Sequence, residues 1–277
     1  MTKVAVGQMT SAASHQPNIA VMQSYAADAA SEGAALLCLP EVAGLMNRDP
    51  KAAHALVVTA ERDPYLRACQ AAAQEHGIWI HAGSTPVTGP DGKFLNHSVL
   101  VDPKGVIIAR YDKIHLFDVA LEGARPIGES KRFAPGQAAP IVDCELGRLG
   151  LTICYDVRFP GLYRALAQGG AEIIFVPSAF TVPTGKAHWE VLLRARAIEC
   201  GAYIIASAQV GTHEDGRRTW GHSLAIGPWG DILLDLGGTV PGLGYFELDL
   251  TEVRHARSQI PSLYHDRDYS IEIVERN

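Results

Sequence analysis

Apolar and polar positions change period repeatedly along the chain, and each change marks a predicted element. Residues 3–8 alternate as a half-buried strand does, and the alanine-rich stretch 16–30 reads as a helix. Residues 34–39 form a continuous apolar run of strand length, which Pro40-Glu41 stops. Asp63-Pro64 has the form of an N-cap followed by proline in the first turn, and His76-Gly77 closes that helix. Residues 79–83 predict the next strand. The turn signals Pro90-Asp91-Gly92 and Asp102-Pro103-Lys104-Gly105 punctuate alternating runs at 94–101 and 106–111, a predicted meander.

Periodicity then fades. Over 113–136, Gly123, Pro126, Gly128 and Pro135 predict a long loop, and a loop of that length in a compact domain is usually functional. Strands follow at 148–154, 173–177 and 202–209, separated by helices near 162–168 and 188–200. Runs at 222–226 and 231–236 flank the turn Gly227-Pro228-Trp229-Gly230, and the tail from Leu263 has no core periodicity. Strand–helix–strand units on both sides of a meander predict an α/β fold with a mixed sheet, in two layered halves. No linker or composition shift divides the chain, so 1–277 reads as a single domain.

Composition narrows the function classes. With 277 residues, 47% of them apolar and 19% charged, the chain has ample core material. A net charge of -6 with dispersed arginines argues against a nucleic-acid partner. The five cysteines are irregularly spaced without a CxxC, which speaks against a disulfide framework or zinc ribbon. The eleven histidines show no metal-ligand spacing. The opening segment lacks a signal peptide's apolar region, and no apolar run approaches the roughly 18 residues of a membrane span. A cytoplasmic protein that meets no nucleic acid and no membrane is expected. Asn96-His97-Ser98 fits a glycosylation sequon, which in such a chain reads as chance.

The candidate chemistry lies where strands end. Gly150-Leu151-Thr152-Ile153-Cys154 is an apolar run closing on a cysteine, and Pro160-Gly161 then opens a helix. A thiol at such an elbow lies near backbone N–H groups, the setting of a nucleophile, although a buried structural thiol is an equal reading of this segment alone. Glu41 and Lys113 also follow apolar strand runs. Residues at the carboxyl ends of strands in open α/β sheets converge on the ligand crevice. There a carboxylate, an ammonium and a thiol make a complete kit of base, oxyanion stabiliser and nucleophile. A free thiol with a pKa of about 8.5 is only a few per cent ionised at neutral pH, and an adjacent ammonium is expected to lower that value by about a unit or more. Each residue alone reads more simply as an exposed charge at a strand end; the coincidence of three carries the weight.

Three segments, Leu39-Pro40-Glu41, Tyr111-Asp112-Lys113-Ile114-His115-Leu116-Phe117 and Ile153-Cys154-Tyr155-Asp156-Val157-Arg158-Phe159-Pro160, resemble the Glu–Lys–Cys motifs of the nitrilase superfamily of carbon–nitrogen hydrolases, in the same order. The resemblance runs over nearly the whole chain. It implies a four-layer α-β-β-α sandwich with two mixed sheets. It also implies pairing into a homodimer or higher homo-oligomer, with the C-terminal tail from about 255 at a subunit contact. A fourth acidic residue is implied at Glu129, in the loop after the lysine. In the implied reaction Cys154 attacks an amide carbonyl with Glu41 as general base. Lys113 and the Tyr155 backbone N–H hold the oxyanion, and water activated by Glu41 and Glu129 hydrolyses the thioester. Neither metal nor organic cofactor is implied.

Two further segments, residues 185–199 and 220–229, resemble most the amidase branch acting on deaminated glutathione, which releases 2-oxoglutarate and cysteinylglycine. An ω-amidase acting on 2-oxoglutaramate remains the neighbouring alternative. Hydrolysis of N-carbamoyl amino acids, aliphatic amides or nitriles stays open too, as does a non-catalytic binding module. Either small anionic 2-oxo acid amide needs a cation in the pocket, and Arg158 is the candidate; a structural ion pair with Asp156 or Glu172 is an equal reading. His188 and Thr184 are candidate pocket residues at a predicted helix start, with capping or packing as the plainer role. His115 either orients the lysine or packs in the core. Glu190 and Arg194 are spaced as a solvated helix pair. His188 or His222 as the base of a Cys–His hydrolase has no supporting context, and GxSxG, GxGxxG, P-loop and HExxH patterns are absent.

Overall fold

The computed structural model describes residues 1–120 and 126–276; Gly123 of the predicted long loop lies outside them. The chain begins with β1 (Thr2–Gln8), α1 (His15–Ser31), β2 (Leu36–Cys38), α2 (Pro50–Leu56), α3 (Pro64–His76) and β3 (Trp79–His81). β4 (Thr85–Thr88), a strand the sequence pattern does not predict, joins β5 (Phe94–Val101) and β6 (Ile107–Asp112), the two runs of the predicted meander. The long loop holds a short pair, β7 (Asp118–Val119) and β8 (Ile127–Gly128). There follow β9 (Ile141–Cys144), β10 (Gly147–Leu151), α4 (Pro160–Gln168), β11 (Ile173–Phe175), α5 (Val182–Cys200) and β12 (Tyr203–Ala206). The chain closes with β13 (Val210–Thr212), β14 (Arg218–Trp220), β15 (Leu224–Ile226), β16 (Ile232–Asp235), β17 (Gly242–Leu248) and α6 (Leu250–Gln259).

Two sheets face each other. One has the order β17-β1-β2-β3-β5-β4 with β6 on the free side of β5; the other runs β16-β15-β12-β11-β10-β9. Each has a parallel centre, β1-β2-β3 in one and β10-β11-β12 in the other, joined through helices. Period-2 alternation explains the layering. Val4, Val6, Leu36 and Cys38 point between the sheets and pack with Leu149, Leu151 and Phe175. Their neighbours Ala5, Leu37 and Leu39 point the other way, into Met22 and Ala26 of α1 and Tyr65 and Cys69 of α3. Trp189 and Leu193 of α5 and Leu166 of α4 cover the second sheet. Both faces of the central strands are therefore buried, which is why they read as unbroken apolar runs. The result is the expected α-β-β-α sandwich.

The Asp63 and Gly77 boundaries are as predicted: the Asp63 carboxylate accepts from the Leu66 N–H at 2.9 Å, and Gly77 ends α3 in the left-handed region. Elsewhere tertiary contacts move the boundaries. β10 stops at Leu151, and Cys154 opens a 3-10 turn, Cys154–Arg158, rather than ending the strand. α5 starts at Val182 instead of 188, so His188 lies in its second turn rather than at its start. Pro183 and Gly185 hid that start; Pro183 fits a helical first turn. A Cβ on Gly185 would meet Trp220 Cγ at 2.3 Å. β17 lacks a sequence signal because two glycines and a tyrosine blur its pattern, yet it pairs antiparallel with the whole of β1. Among the described residues no helix is long and apolar enough to cross a membrane.

Candidate active site

β5 is antiparallel to both β3 and β6, so β6 runs parallel to β2 and β3. Glu41 after β2 and Lys113 after β6 consequently leave the first sheet at the same end. The opposite sheet delivers Cys154 after β10 and Ala179 after β11. Asp156, fully buried, ties the two sides together. Its carboxylate accepts from Tyr111 Oη at 2.6 Å, from the Ile153 N–H at 2.8 Å and from the His115 N–H at 3.1 Å. The His115 ring adds a 2.7 Å contact to Asp156 and stacks on Phe159 at 3.5 Å. His115 thus docks the lysine loop onto the cysteine turn.

Lys113 Nζ sits at the centre of the charges. It donates to Glu41 Oε1 at 2.8 Å and to Glu129 Oε1 and Oε2 at 3.1 and 2.9 Å. Glu41 Oε2 accepts the Ala179 N–H at 2.8 Å, and Glu129 Oε2 accepts the Phe117 N–H at 2.6 Å. The Glu41 loop is pinned by the next turn of chain: the Val42 N–H donates to Ser84 Oγ at 2.8 Å. Gly83 permits that approach, because at its φ of +66° a Cβ would stand 1.9 Å from the Pro40 carbonyl oxygen. Val42 and Cys154 both adopt φ of +50°, a region that costs a non-glycine residue about 1 kcal/mol or more. Strain on each side of one constellation is the pattern of a site held for chemistry.

The electrostatics differ from the expectation for an isolated Lys–Cys pair. Burial works to raise the Glu41 carboxyl, but the Lys113 charge and hydrogen bonds from Lys113, Cys154 and Asn96 hold it below the usual carboxylate range. Burial also works against the Lys113 ammonium, yet Glu129 and Glu41 keep it well above its ordinary value. The Cys154 thiol goes up, from burial first and the Glu41 charge second, with Lys113 countering only in part. The ammonium expected to lower the thiol is shared between two carboxylates, and its pull on the sulfur is outweighed by burial together with the Glu41 charge. At neutral pH the site therefore holds a protonated thiol beside an ionised carboxylate, arranged for proton transfer during attack rather than for a standing thiolate.

A cavity of about 230 Å³ opens over this group. Glu41, Lys113, Glu129 and Cys154 line it together with Tyr155 and Thr184, so six of the predicted site residues meet in one space. Thr184 shares a 2.8 Å hydrogen bond with Thr181 at the start of α5. Arg158 and His188 are not among its lining residues. Arg158 lies over the Tyr155 and Phe180 rings at 6.0 and 5.5 Å and contacts His188 Nδ1 at 3.3 Å. The alternative ion pairs do not form: Asp156 is engaged as described, and Glu172 accepts the Arg148 N–H. Glu190 and Arg194 make the exposed helix pair expected of them, at 3.3 Å. Among the described residues, no group of three or more His, Cys, Asp or Glu side chains is placed to hold a metal ion.

One site residue escaped the sequence reading. Asn96, buried in the middle of β5, donates to Glu41 Oε1 at 2.9 Å and to Glu129 Oε1 at 3.4 Å. Its sequon drew attention for the wrong reason; the usable signal is an amide inside an apolar strand, which must find partners when buried.

The sequence pattern of the carbon–nitrogen hydrolase family matches residues 3–258. A deaminated glutathione amidase of Synechocystis sp. is 43% identical over 93% of this chain and 95% of its own. The human deaminated glutathione amidase is 40% identical over 95% of this chain and 82% of its own. Among solved structures, the C. elegans NitFhit protein superposes with a TM-score of 0.87 at 35% identity, covering 96% of this chain; the chain spans only 65% of that longer protein. The amidase from Nesterenkonia sp. AN1, in a glutamate-to-glutamine variant bearing acrylamide added at its active-site cysteine, superposes with a TM-score of 0.77 at 30% identity over 94% of this chain and 98% of that one. With the pattern matched almost end to end, this chain is an enzyme of the carbon–nitrogen hydrolase family, within the nitrilase superfamily.

Proposed function

We propose that the protein is a thiol amidase that hydrolyses deaminated glutathione to 2-oxoglutarate and cysteinylglycine. The observation that carries the chemistry is the buried Glu41–Lys113–Glu129 cluster beside a protonated Cys154 thiol in one cavity. As Cys154 Sγ bonds to the amide carbon, its proton passes to Glu41. The oxyanion is held by the Lys113 ammonium and the Tyr155 N–H, which as a first-turn group of a 3-10 helix has no partner within it. Collapse breaks the C–N bond, and the leaving amine takes the proton from Glu41. Water then attacks the thioester, giving its proton to Glu41, and the acid departs as the thiol is restored. Glu129 keeps Lys113 charged and fixed throughout. The relatives' shared activity supports the substrate. The same reading takes the enzyme as a cytoplasmic homo-oligomer, with the tail beyond α6, where Tyr269, Ile271, Ile273 and Val274 are exposed, at the subunit contact.

A paired assay tests the substrate. Deaminated glutathione should be cleaved with a much higher kcat/KM than 2-oxoglutaramate, read as cysteinylglycine against ammonia released. Preference for ammonia release would make the enzyme an ω-amidase instead.

The acid–base arrangement predicts the pH profile. Glu41 acts as the ionised base, and its lowered pKa keeps that form present until pH falls below the usual carboxylate value of about 4.3. Lys113 and Cys154, both raised, stay protonated on the alkaline side of neutrality. kcat/KM should therefore be flat between about pH 6 and 8. A limb centred near pH 7 would contradict the assignment of Glu41 as the base.

A further inference from the structure

We propose that Arg132 and Arg217 form an anion subsite at the partly exposed side of the cavity, which takes the carboxylate carried by the leaving amine of the substrate. The proposal rests on the amidase reading and deepens it by naming what reads the amine side.

Both arginines line the cavity that holds Glu41, Lys113 and Cys154, although they come from different segments, the turn after Glu129 and the β13–β14 connection. Unlike the buried cluster, each is only half-buried, so the cavity runs from a charged floor to a cationic rim. Among the described residues Arg132 makes no ion pair. Its guanidinium donates to the Arg48 and Asn47 carbonyls at 3.1 Å each and faces the Phe94 and Phe133 rings at 5.8 and 5.9 Å. Arg217 pairs with Asp215, and Arg48 reaches the same carboxylate at 3.9 Å. Arg48 and Arg217 therefore share Asp215, while Asp49, the other carboxylate whose charge Arg132 feels, already caps α2 through the Lys51 and Ala52 N–H groups. The Arg132 pKa is lowered, by burial first and then by Arg217, so the two cations feel one another across the rim.

An excess cation desolvated beside a like charge is the arrangement that a carboxylate ligand relieves. A guanidinium offers a planar fork that matches a carboxylate bidentately. Phe117, Phe133 and Phe180 line the space between floor and rim and suit the uncharged middle of a small peptide. Arg158, turned onto Tyr155 and Phe180 and held by His188, is a separate cation outside this lining.

The test compares three amides with one acyl group: deaminated glutathione, the same compound with its glycine carboxylate converted to a carboxamide, and 2-oxoglutaramate. The parent enzyme should favour the free carboxylate over the carboxamide by roughly ten- to hundredfold in kcat/KM, the worth of a charge-assisted contact. In Arg132→Gln that ratio should collapse towards one. Arg217→Lys, which keeps a charge for Asp215 but loses the fork, should lower it by a smaller factor. Equal losses on all three amides would assign the arginines a structural role and overturn the subsite, as would an unchanged ratio in both variants. Failure of the parent enzyme on all three would overturn the amidase reading, and this proposal with it.

Discussion

Cys154→Ala is expected to abolish turnover while leaving the fold standing. Removal of a covalent nucleophile typically costs kcat about 10⁴-fold or more, because the remaining groups only orient and polarise a carbonyl that nothing attacks. Glu41, held by Lys113, Asn96 and the Ala179 N–H, can still take a proton from water, but without the sulfur no thioester forms, and water must attack the far less reactive amide itself. Alanine keeps the backbone as it is: Cys154 already bears φ of +50°, and the Cys154 N–H to Pro177 carbonyl bond at 3.0 Å does not involve the side chain. Loss of one buried sulfur should cost about 1 kcal/mol, or roughly 2–4 °C in Tm for a chain of this size. Turnover within a hundredfold of the parent enzyme, at an unchanged circular dichroism spectrum, would remove Cys154 from the mechanism.

Lys113→Ala should be as inactive and, unlike the cysteine variant, markedly less stable. It leaves Glu41 and Glu129 facing each other across a buried gap with only the Asn96 amide between them. Breaking a buried ion pair by removing one partner typically costs about 3–5 kcal/mol. One carboxyl escapes that cost by taking up a proton, and if it is Glu41 the base is lost as well. A double variant separates the two effects. Lys113→Met combined with Glu129→Gln leaves a single carboxyl, Glu41, in the gap, which removes the repulsion between the two and should recover part of the Tm without recovering turnover. Recovery of both would mean that the ammonium serves stability alone.

Much of this arrangement was readable along the chain. The strand runs before Glu41 and Lys113, the elbow at Cys154, and the Asp63 and Gly77 boundaries all express local rules: side-chain alternation, turn chemistry and capping. Glu129 was legible only through the family resemblance, since in its own surroundings it is a carboxylate in a loop. Arg158 and His188 were assigned to the pocket because they stand near Cys154 in sequence or at a supposed helix start. The true start of α5, six residues earlier, turns His188 towards Arg158 instead. Asn96 carried a usable signal, an amide inside an apolar strand, whereas the two rim arginines carried none.

The sequence by itself determined most of the central strands and helices and the mixed α/β class through periodicity. Through motifs that resemble a known family it also determined the two-sheet sandwich and the Glu–Lys–Cys chemistry, because periodicity and motifs are properties of neighbouring residues. The tertiary structure alone decided which charges meet. It closed β17 onto β1 across the length of the chain, set Glu129 and Asn96 against Glu41 and Lys113, and brought Arg132 and Arg217 to one rim. It also reversed the expected direction of the Cys154 pKa. A buried group's ionisation reflects every charge within a few ångströms in a medium of low polarity. That sum runs over strands distant in sequence, and only the folded chain performs it.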